Sequence, residues 1–522
     1  MGKIETSFAP TRLVVPDEAI AAGLMKIGRA EWAAQEIAQF DRATVNRIAT
    51  AVAQVAHDNA GFYAEWAVRE TGYGVAEHKQ LKNELVTFPL LDYYKDIDLV
   101  TPRVDHERKI VEIPKPAGIV LALTPATNPI ATVYYKVLLA ILSRNAIVIS
   151  PHPAARQCSN DAAAKLEAAA TAAGAPQGLI QCIEQPTVPL VNELMKSPKV
   201  SVILATGGGA MVRAAYSSGT PALGVGPGNA PVYVDSSADM RQSAQMIVAS
   251  KSFDNSVLCT NESVLLTLER DRQRFERELR AASAYLCSAE EVERLRDYLF
   301  PGGNLNLAAI GKSAAWIARE AGIRVVTSAK ILVAPVEQIG IGEPLTKEKL
   351  CPVLAMHSVD TFERGLRAAQ MVLRLSGAGH SAAFHGEDSE RALAFASGLN
   401  VYRVVVNAPC SQGAAGFATH LPPTFTIGTG YFGKSSLGEN AGPQHLVHWT
   451  RLAYRKDAAL PSDGFRSESL SGHLMRSARA PAPRETSALS PAGTASPSSD
   501  IDRETLRQLI SQELRNLTRG RP

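Results

Sequence analysis

GIVLAL (residues 118–123), NAIVIS (145–150), LIQCI (179–183) and SVILAT (201–206) are short apolar runs that follow one another closely along the chain. Helical stretches separate them, for example the alanine-rich residues 162–173. This alternation predicts parallel strands connected by crossover helices. We therefore assign the fold class α/β, with a doubly wound, Rossmann-like domain at residues 116–230.

Two further regions flank this domain. Residues 231–425 predict a second α/β lobe from APVYVD (230–235), ESVLLTL (262–268), a charged helix around 271–280 and VYRVVVN (401–407). Residues 1–100 predict a helical entry region, because Val45, Ile48, Val52 and Val55 recur at helical spacing.

Composition excludes several classes of partner. The chain has 522 residues, 46% of them hydrophobic, which is enough for large cores and favours two lobes. A net charge of +3 gives no overall field that would attract nucleic acid or an anionic membrane. No run is long and apolar enough to span a bilayer. We expect a cytoplasmic enzyme with small-molecule partners.

The six cysteines form no C-x-x-C pair, which argues against a zinc site or a disulfide framework and favours a reducing cytosol. We predict no metal. Cys259 stands out because SFDNSVLCTNESVLL (252–266) places it between small polar residues and an apolar strand. A buried cysteine is usually inert, so this position alone makes Cys259 a candidate nucleophile among six.

The C-terminal part changes character. Residues 458–498 are rich in Ser, Pro, Ala and Arg and predict a disordered linker. Residues 499–522 predict an amphipathic helix, with Leu506, Leu509, Ile510, Leu514 and Leu517 at helical spacing. This helix either packs on its own enzyme or oligomer, or binds another protein as a targeting helix.

Two glycine-rich segments suggest nucleotide binding. Thr206, Gly207, Gly208 and Gly209 follow the apolar SVILA and precede a helix, as in dinucleotide sites, although the spacing is not G-x-G-x-x-G. GTGYFGKS (428–435) satisfies the P-loop pattern, but the glycines and proline of SLGENAGP follow it where a P-loop requires a helix. We reject the P-loop interpretation.

The chain resembles CoA-acylating aldehyde dehydrogenases, including the aldehyde dehydrogenase half of bifunctional alcohol/aldehyde dehydrogenases. The resemblance runs over residues 20–457. Its segments, in order, are LTPATNP (123–129), SPHPAA (150–155), LATGGGAMVRAAYSSG (204–219), LGVGPGNAP (223–231), SFDNSVLCTNES (252–263), SGAGH (376–380) and ENAGPQHL (439–446). It implies the aldehyde dehydrogenase fold, with an NAD-binding lobe, a catalytic lobe and a β oligomerisation arm.

The resemblance assigns the arm to residues 101–115 and to 426–457, which also return to the cofactor domain. HERKIVEIPKP (106–116) and VHWTRLAYR (447–455) alternate in polarity, as strands do. We expect a homo-oligomer, either a dimer or a tetramer.

The resemblance also implies catalytic roles. Cys259 attacks the aldehyde carbon, Asn128 and the backbone N–H of Cys259 stabilise the oxyanion, and His380 moves a proton. Asn128 alone could equally be a turn residue before Pro129, and a lone histidine such as His380 is more often structural.

The cofactor is expected to be NAD, with NADP left open, and coenzyme A is expected as co-substrate. The resemblance places the dinucleotide against Thr124, Pro125, Ser150, Pro151, His152, Thr206, Gly207, Gly208 and Glu348. Glu348 would bind the nicotinamide ribose; an exposed helical glutamate is the alternative.

An absence favours CoA over water as acyl acceptor. Hydrolytic aldehyde dehydrogenases carry a glutamate near the segment LGVGPGNAP, whereas this chain has no acid between Ala222 and Val234. A thioester without that base awaits a better nucleophile.

The tail at residues 499–522 resembles encapsulation peptides of bacterial microcompartments, which bind shell or cargo proteins. It implies location in a microcompartment lumen and a volatile substrate such as propionaldehyde or acetaldehyde. Two other functions stay open: a hydrolytic aldehyde dehydrogenase, and a scaffold that presents the C-terminal helix.

Overall fold

The computed structural model describes residues 18–326 and 328–457. The predicted linker at 458–498 and the predicted helix at 499–522 lie outside the described residues. No helix in the described part is long and apolar enough to cross a membrane.

Helices open the described chain, as the sequence predicted. They are α1 (Glu18–Ile37), α2 (Arg42–Asp58), α3 (Ala60–Thr71), α4 (Ala76–Leu85) and α5 (Phe88–Tyr94). Val45, Ile48 and Val52 are buried, so the helical periodicity correctly identified the inner face of α2, although Val55 is only partly covered.

A three-stranded antiparallel sheet follows the helices. It contains β1 (Arg103–Asp105), β2 (Ile110–Pro116) and β15 (Val447–Ala453), in the order β1-β2-β15. β15 pairs with β2 along its whole length, from Val447 opposite Pro116 to Ala453 opposite Ile110. Each run with alternating polarity therefore contains a strand, although residues 106–109 form a turn before β2.

The first large sheet is parallel and has the order β5-β4-β3-β6-β7. Its strands are β3 (Ile119–Thr124), β4 (Ala146–Pro151), β5 (Ile180–Cys182), β6 (Val202–Ala205) and β7 (Ala222–Gly224). Its helices are α6 (Pro129–Leu142), α7 (Arg156–Ala172), α8 (Val188–Lys196) and α9 (Gly209–Tyr216). The α/β prediction is confirmed, with α7 beginning earlier than the alanine-rich run indicated.

The strand order of this sheet locates a crevice. The chain runs from β3 outward to β4 and β5, and then returns to place β6 on the other side of β3. Ligands of doubly wound sheets bind where the order reverses, at the carboxyl ends of the strands. Thr124 ends β3 and Thr206 follows β6, so both lie at this crevice.

The second large sheet is also parallel, in the order β10-β11-β12-β9-β8-β13-β14. Its strands are β8 (Ala230–Val234), β9 (Glu262–Leu268), β10 (Ala284–Leu286), β11 (Ile331–Pro335), β12 (Val353–Val359), β13 (Ala382–His385) and β14 (Val404–Val406). The helices around it are α10 (Met240–Ser252), α11 (Glu269–Ala281), α12 (Ala289–Leu299), α13 (Ala314–Glu320), α14 (Phe362–Leu375), α15 (Ser389–Gly398) and α16 (Cys410–Gly413). The central strands β8 and β9 are buried at every residue because helices cover both faces of the sheet.

The P-loop-like segment is not a P-loop. Gly430 and Lys434 have positive φ angles around the single 3-10 turn Tyr431–Gly433, and no α-helix follows within the described residues. A phosphate-binding P-loop must lead into a helix, so rejecting this motif from its context was correct. The domain boundaries drawn from the sequence stay predictions.

Candidate active site

A cavity of about 540 Å³ lies at the carboxyl ends of β3 and β6. It brings together most of the residues that the sequence resemblance assigned to catalysis and cofactor binding. Those that line it are Thr124, Pro125, Asn128, His152, Thr206, Gly207, Gly208, Cys259 and Glu348. Ser150, Pro151 and His380 are not among the lining residues.

Cys259 follows an unusual turn. After α10 ends at Ser252, the backbone of Asp254, Asn255 and Ser256 has φ angles of 51°, 50° and 62°, in the left-handed region that side chains disfavour. Cys259 comes three residues later, just before β9. It is half-buried, while the other five cysteines are buried, so it is the thiol that a ligand in the cavity can reach.

Burial and, to a smaller extent, the carboxylate of Glu348 together raise the pKa of the Cys259 thiol to about 12, while Arg403 opposes the rise. At neutral pH the side chain is therefore a thiol in the ligand-free site. Nucleophilic attack requires the thiolate, so the reaction has to remove this proton or supply a positive charge nearby.

Asn128 occupies the N-cap position of α6, yet its side chain makes no capping hydrogen bond. Its Oδ1 instead accepts a hydrogen bond from Lys82 Nζ at 2.5 Å, and its Nδ2 donates to Thr127 Oγ1 at 3.2 Å. Asparagine is among the best capping residues. The amide therefore binds Lys82 instead of capping the helix, and Asn128 lines the same cavity as Cys259.

Glu348 is the one carboxylate among the described residues that line the cavity. Its Oε1 accepts a hydrogen bond from the backbone N–H of Gly228 at 3.0 Å, and burial raises the pKa of the carboxyl to about 7. It is not an exposed helical glutamate, because it lies outside the helices and is partly covered.

His380 is fully buried. Its Nδ1 lies 2.9 Å from Ser381 Oγ, and its Nε2 has no hydrogen-bond partner among the described residues. Burial and the neighbouring Arg403 lower the pKa of the imidazole to about 3, so the ring is neutral. Its role in proton transfer stays a prediction.

The crevice fits a dinucleotide. Thr124 Oγ1 is buried without a hydrogen-bond partner in the described part of the chain. Because Thr124 lines the cavity, a polar ligand bound there can form the missing hydrogen bond. Gly208 precedes α9, and the space that a side chain would fill there is open. Backbone N–H groups at such a helix start attract phosphate. Ser150 and Pro151 are at the end of β4 and do not line the cavity.

Three charged residues near the site were not identified from the sequence. Lys82 and Asp254 are buried and form an ion pair with each other. Arg403 is also buried and donates from all three guanidinium nitrogens, to Asn440 Oδ1 and to the carbonyls of Gly379, His380, Gly428 and Gly438. One signal for the first pair was present: Asp254 lies in the segment SFDNSVLC around the nucleophile.

Residues 20–298 match the aldehyde dehydrogenase family. The bifunctional aldehyde-alcohol dehydrogenase of Escherichia coli (strain K12) is 36% identical, over 83% of this chain and 49% of the relative. The succinate-semialdehyde dehydrogenase (acetylating) of Clostridium kluyveri is 36% identical, over 84% of this chain and 96% of the relative. The chain spans about half the length of the first curated relatives that it matches.

Solved structures agree. An acetylating aldehyde dehydrogenase from Geobacillus thermoglucosidasius has a TM-score of 0.83 and 38% identity, covering 86% of this chain and 100% of its own. A propionaldehyde dehydrogenase from a Clostridium phytofermentans microcompartment has a TM-score of 0.77 and 26% identity, and the match covers 84% of this chain and 98% of that structure. A propionaldehyde dehydrogenase from Rhodopseudomonas palustris, with bound CoA and an acylated cysteine, has a TM-score of 0.76 and 28% identity. The match covers 83% of this chain and 97% of that structure. The chain belongs to the aldehyde dehydrogenase family.

Proposed function

We propose that the protein is a CoA-acylating aldehyde dehydrogenase, which converts a short-chain aldehyde, NAD and CoA into acyl-CoA and NADH through a thioester on Cys259. The observation that carries the proposal is the shared cavity, where the accessible thiol of Cys259 and the amide of Asn128 lie at the crevice between β3 and β6. A thiol, an amide donor and a dinucleotide crevice are the parts that this reaction needs.

The steps follow from these groups. Cys259 releases its proton to solvent and its sulfur adds to the aldehyde carbon, so the carbonyl oxygen becomes an alkoxide, to which the Asn128 amide donates a hydrogen bond. A nicotinamide bound in the crevice supplies the hydride acceptor. Loss of hydride leaves the acyl group on Cys259 as a thioester. CoA, deprotonated to its thiolate, then adds to this carbonyl and expels the Cys259 thiolate, which takes up a proton and restores the thiol of the resting enzyme.

The cavity wall favours CoA over water as acceptor. Val225, Gly226 and Pro227 form the part of the wall where hydrolytic relatives are expected to carry their glutamate. The remaining carboxylate, Glu348, already accepts a hydrogen bond from Gly228. Deacylation by water needs a general base, whereas CoA brings an intrinsically stronger nucleophile. The acetylating relatives and the CoA-bound structure support the same outcome.

The test is NADH formation from C2 to C4 aldehydes with and without CoA. We expect one NADH per active site without CoA, followed by a stall, and continuous turnover once CoA is added. Continuous turnover without CoA, with a carboxylic acid as product, would support the hydrolytic alternative. A Cys259→Ala variant with full NADH output would support the scaffold alternative.

NAD is the proposed cofactor, with NADP as the alternative. Among the described residues that line the cavity there is no lysine or arginine that would favour a 2′-phosphate. Dissociation constants of the two dinucleotides, measured by quenching of tryptophan fluorescence, would decide between them. A tighter constant for NADP would reverse the assignment.

We also propose that the protein forms homo-oligomers through the sheet of β1, β2 and β15, and that residues 499–522 direct it into a microcompartment. The microcompartment propionaldehyde dehydrogenase among the similar structures supports this location and a volatile substrate. Residues 499–522 fused to a fluorescent protein should form puncta in cells that make the compartments. Diffuse fluorescence there would contradict the proposal.

A further inference from the structure

Two lysines on one face of α4 contact residues that line the active-site cavity. Lys79 and Lys82 are three residues apart, both are buried, and both contact the carboxylate of Asp254. Lys79 Nζ lies 3.0 Å from Asp254 Oδ2, and Lys82 makes a shorter contact with the same oxygen. Buried charges persist where they are paired, so Asp254 allows these lysines to remain inside the protein.

The two lysines differ in their second contact. Lys82 Nζ donates to the side-chain Oδ1 of Asn128, whereas Lys79 Nζ donates to the backbone oxygen of Thr127 at 2.8 Å. Lys82 thus contacts the side-chain amide that lines the cavity together with Cys259, whereas the second contact of Lys79 is with the neighbouring backbone. The two lysines share the contact with Asp254 and differ in the second contact, so a substitution of Lys79 can serve as the control for the same substitution of Lys82.

The lysine determines which way the Asn128 amide points. An asparagine amide has an oxygen that accepts and a nitrogen that donates, and a lysine ammonium can only donate. The oxygen must therefore face Lys82, because the reversed amide would place its N–H groups against N–H groups. The nitrogen is left with one bond to Thr127 Oγ1 and a second N–H that has no partner in the described part of the chain.

Asp254 connects this arrangement to the nucleophile. Its Oδ1 accepts a hydrogen bond from the backbone N–H of Val75 at 2.7 Å, and its backbone N–H donates to His78 Nδ1 at 2.9 Å. Asp254 is also the first residue of the left-handed turn before Cys259. A Cβ on Gly74 would collide with the Asp254 carboxylate, so the close approach depends on a glycine there.

We propose that Lys82 is a positioning residue, which with Asp254 fixes the Asn128 amide so that its free N–H donates to the oxyanion formed on the carbon bound to Cys259. The proposal rests on the proposed function, because it presupposes that an aldehyde adds to Cys259. It assigns Lys82 no contact with substrate. Its effect on the reaction passes entirely through Asn128.

A double-mutant cycle tests this dependence. The variants are Lys82→Met, Asn128→Ala and the two combined, and the measured quantity is the rate of the first NADH burst with saturating NAD. This burst precedes deacylation, so it reports on Lys82 whether CoA or water is the acceptor. The wild-type reaction with and without CoA separately tests the proposed function.

We expect Lys82→Met to slow the burst roughly 10- to 100-fold, with little change in the aldehyde concentration at half-saturation, because an oriented oxyanion donor contributes about 10²–10³ in rate. In the Asn128→Ala background the same substitution should cost less than about 3-fold, since the donor is already gone. An equal loss of burst rate in both backgrounds would overturn the proposal. A change in the aldehyde concentration at half-saturation with an unchanged maximal burst rate would also overturn it.

Lys79→Met is the matched control. It also removes a buried lysine from Asp254, so it reproduces any general damage to the ion pair. Its effect should be the same with Asn128 or Ala at position 128, because Lys79 does not contact that side chain. If Lys79→Met instead shows the same dependence on Asn128 as Lys82→Met, the specific role of Lys82 is wrong.

Asn128→Asp provides a test that does not require Lys82→Met to fold. The carboxylate keeps an acceptor for Lys82 but has no N–H. We expect its burst to be as slow as that of Asn128→Ala, although the contact with Lys82 is retained. A burst at the wild-type rate would show that the amide N–H is not the donor and would overturn the proposal.

Discussion

The carboxylate of Glu348 and the thiol of Cys259 line the same cavity, and the negative charge of the first raises the pKa of the second. The cavity therefore holds its nucleophile in the protonated, unreactive form while it contains no ligand. Charge and burial act in the same direction, since burial is the larger cause of the shift.

Replacing Glu348 should make Cys259 more reactive toward iodoacetamide. Glu348→Gln removes the negative charge, lowers the pKa of the thiol and increases its thiolate fraction, so we expect alkylation at pH 8.5 to become several-fold faster. Mass spectrometry of the peptide that contains Cys259 measures the rate. The five buried cysteines are internal controls and should stay unmodified in both proteins. Unchanged kinetics would show that Glu348 does not affect the thiol.

Glu348 should also make the stability of the protein depend on pH. Its pKa is raised from 4.5 to about 7, so the folded protein keeps a proton that the unfolded chain releases within this range. The free energy of unfolding then falls as pH rises from about 4.5 to 7. Glu348→Gln lacks this loss, so its stability relative to wild type should increase between pH 5 and pH 8. Urea unfolding at both pH values measures the change, and a constant difference would contradict it.

Cys259→Ala should slow NADH formation by roughly 10³-fold or more, because the substitution removes the thiol on which the proposed acyl intermediate forms. The rate is followed by absorbance with aldehyde, NAD and CoA. Cys287→Ala is the control: Cys287 is buried in the hydrophobic core beside the second large sheet and does not line the cavity. Comparable losses in both variants would indicate a stability effect rather than chemistry at position 259.

Thr124→Val should stabilise the ligand-free protein and weaken dinucleotide binding. The Oγ1 of Thr124 is buried and has no hydrogen-bond partner among the residues that the structure describes, and valine has the same shape without this oxygen, so the melting temperature should rise. A bound dinucleotide loses a hydrogen bond at this position, which we expect to raise its dissociation constant about 3- to 10-fold, equivalent to about 0.5–1.5 kcal/mol. Unchanged affinity would remove Thr124 from the cofactor site.

Short apolar runs located the main strands because the strands of a parallel sheet covered on both faces are largely apolar along their length. ESVLLTL corresponds residue for residue to β9. The position of Cys259 between a turn and a strand was also predictable, since its polar neighbours and the following apolar run differ sharply. The order of the strands in each sheet could not be predicted, because it depends on contacts between segments that are distant in the sequence.

Lys82 shows why part of the site escaped prediction. The segment EHKQLKNEL has the composition of a solvated helix, and nothing in that pattern distinguishes an exposed lysine from a buried one. Lys82 is buried because Asp254, 172 residues away, neutralises it. His380 illustrates the opposite case: family resemblance placed it at the site, whereas the cavity is lined without it.

The pairing of β15 with β2 joins residues that are far apart in sequence, as the contact between Arg451 and Glu112, 339 positions apart, shows. During synthesis β2 leaves the ribosome long before its partner exists. Synthesis adds about 5–20 residues per second, so β2 waits tens of seconds with one edge unpaired. A ribosome that stalls between these strands leaves this edge free to pair with another nascent chain.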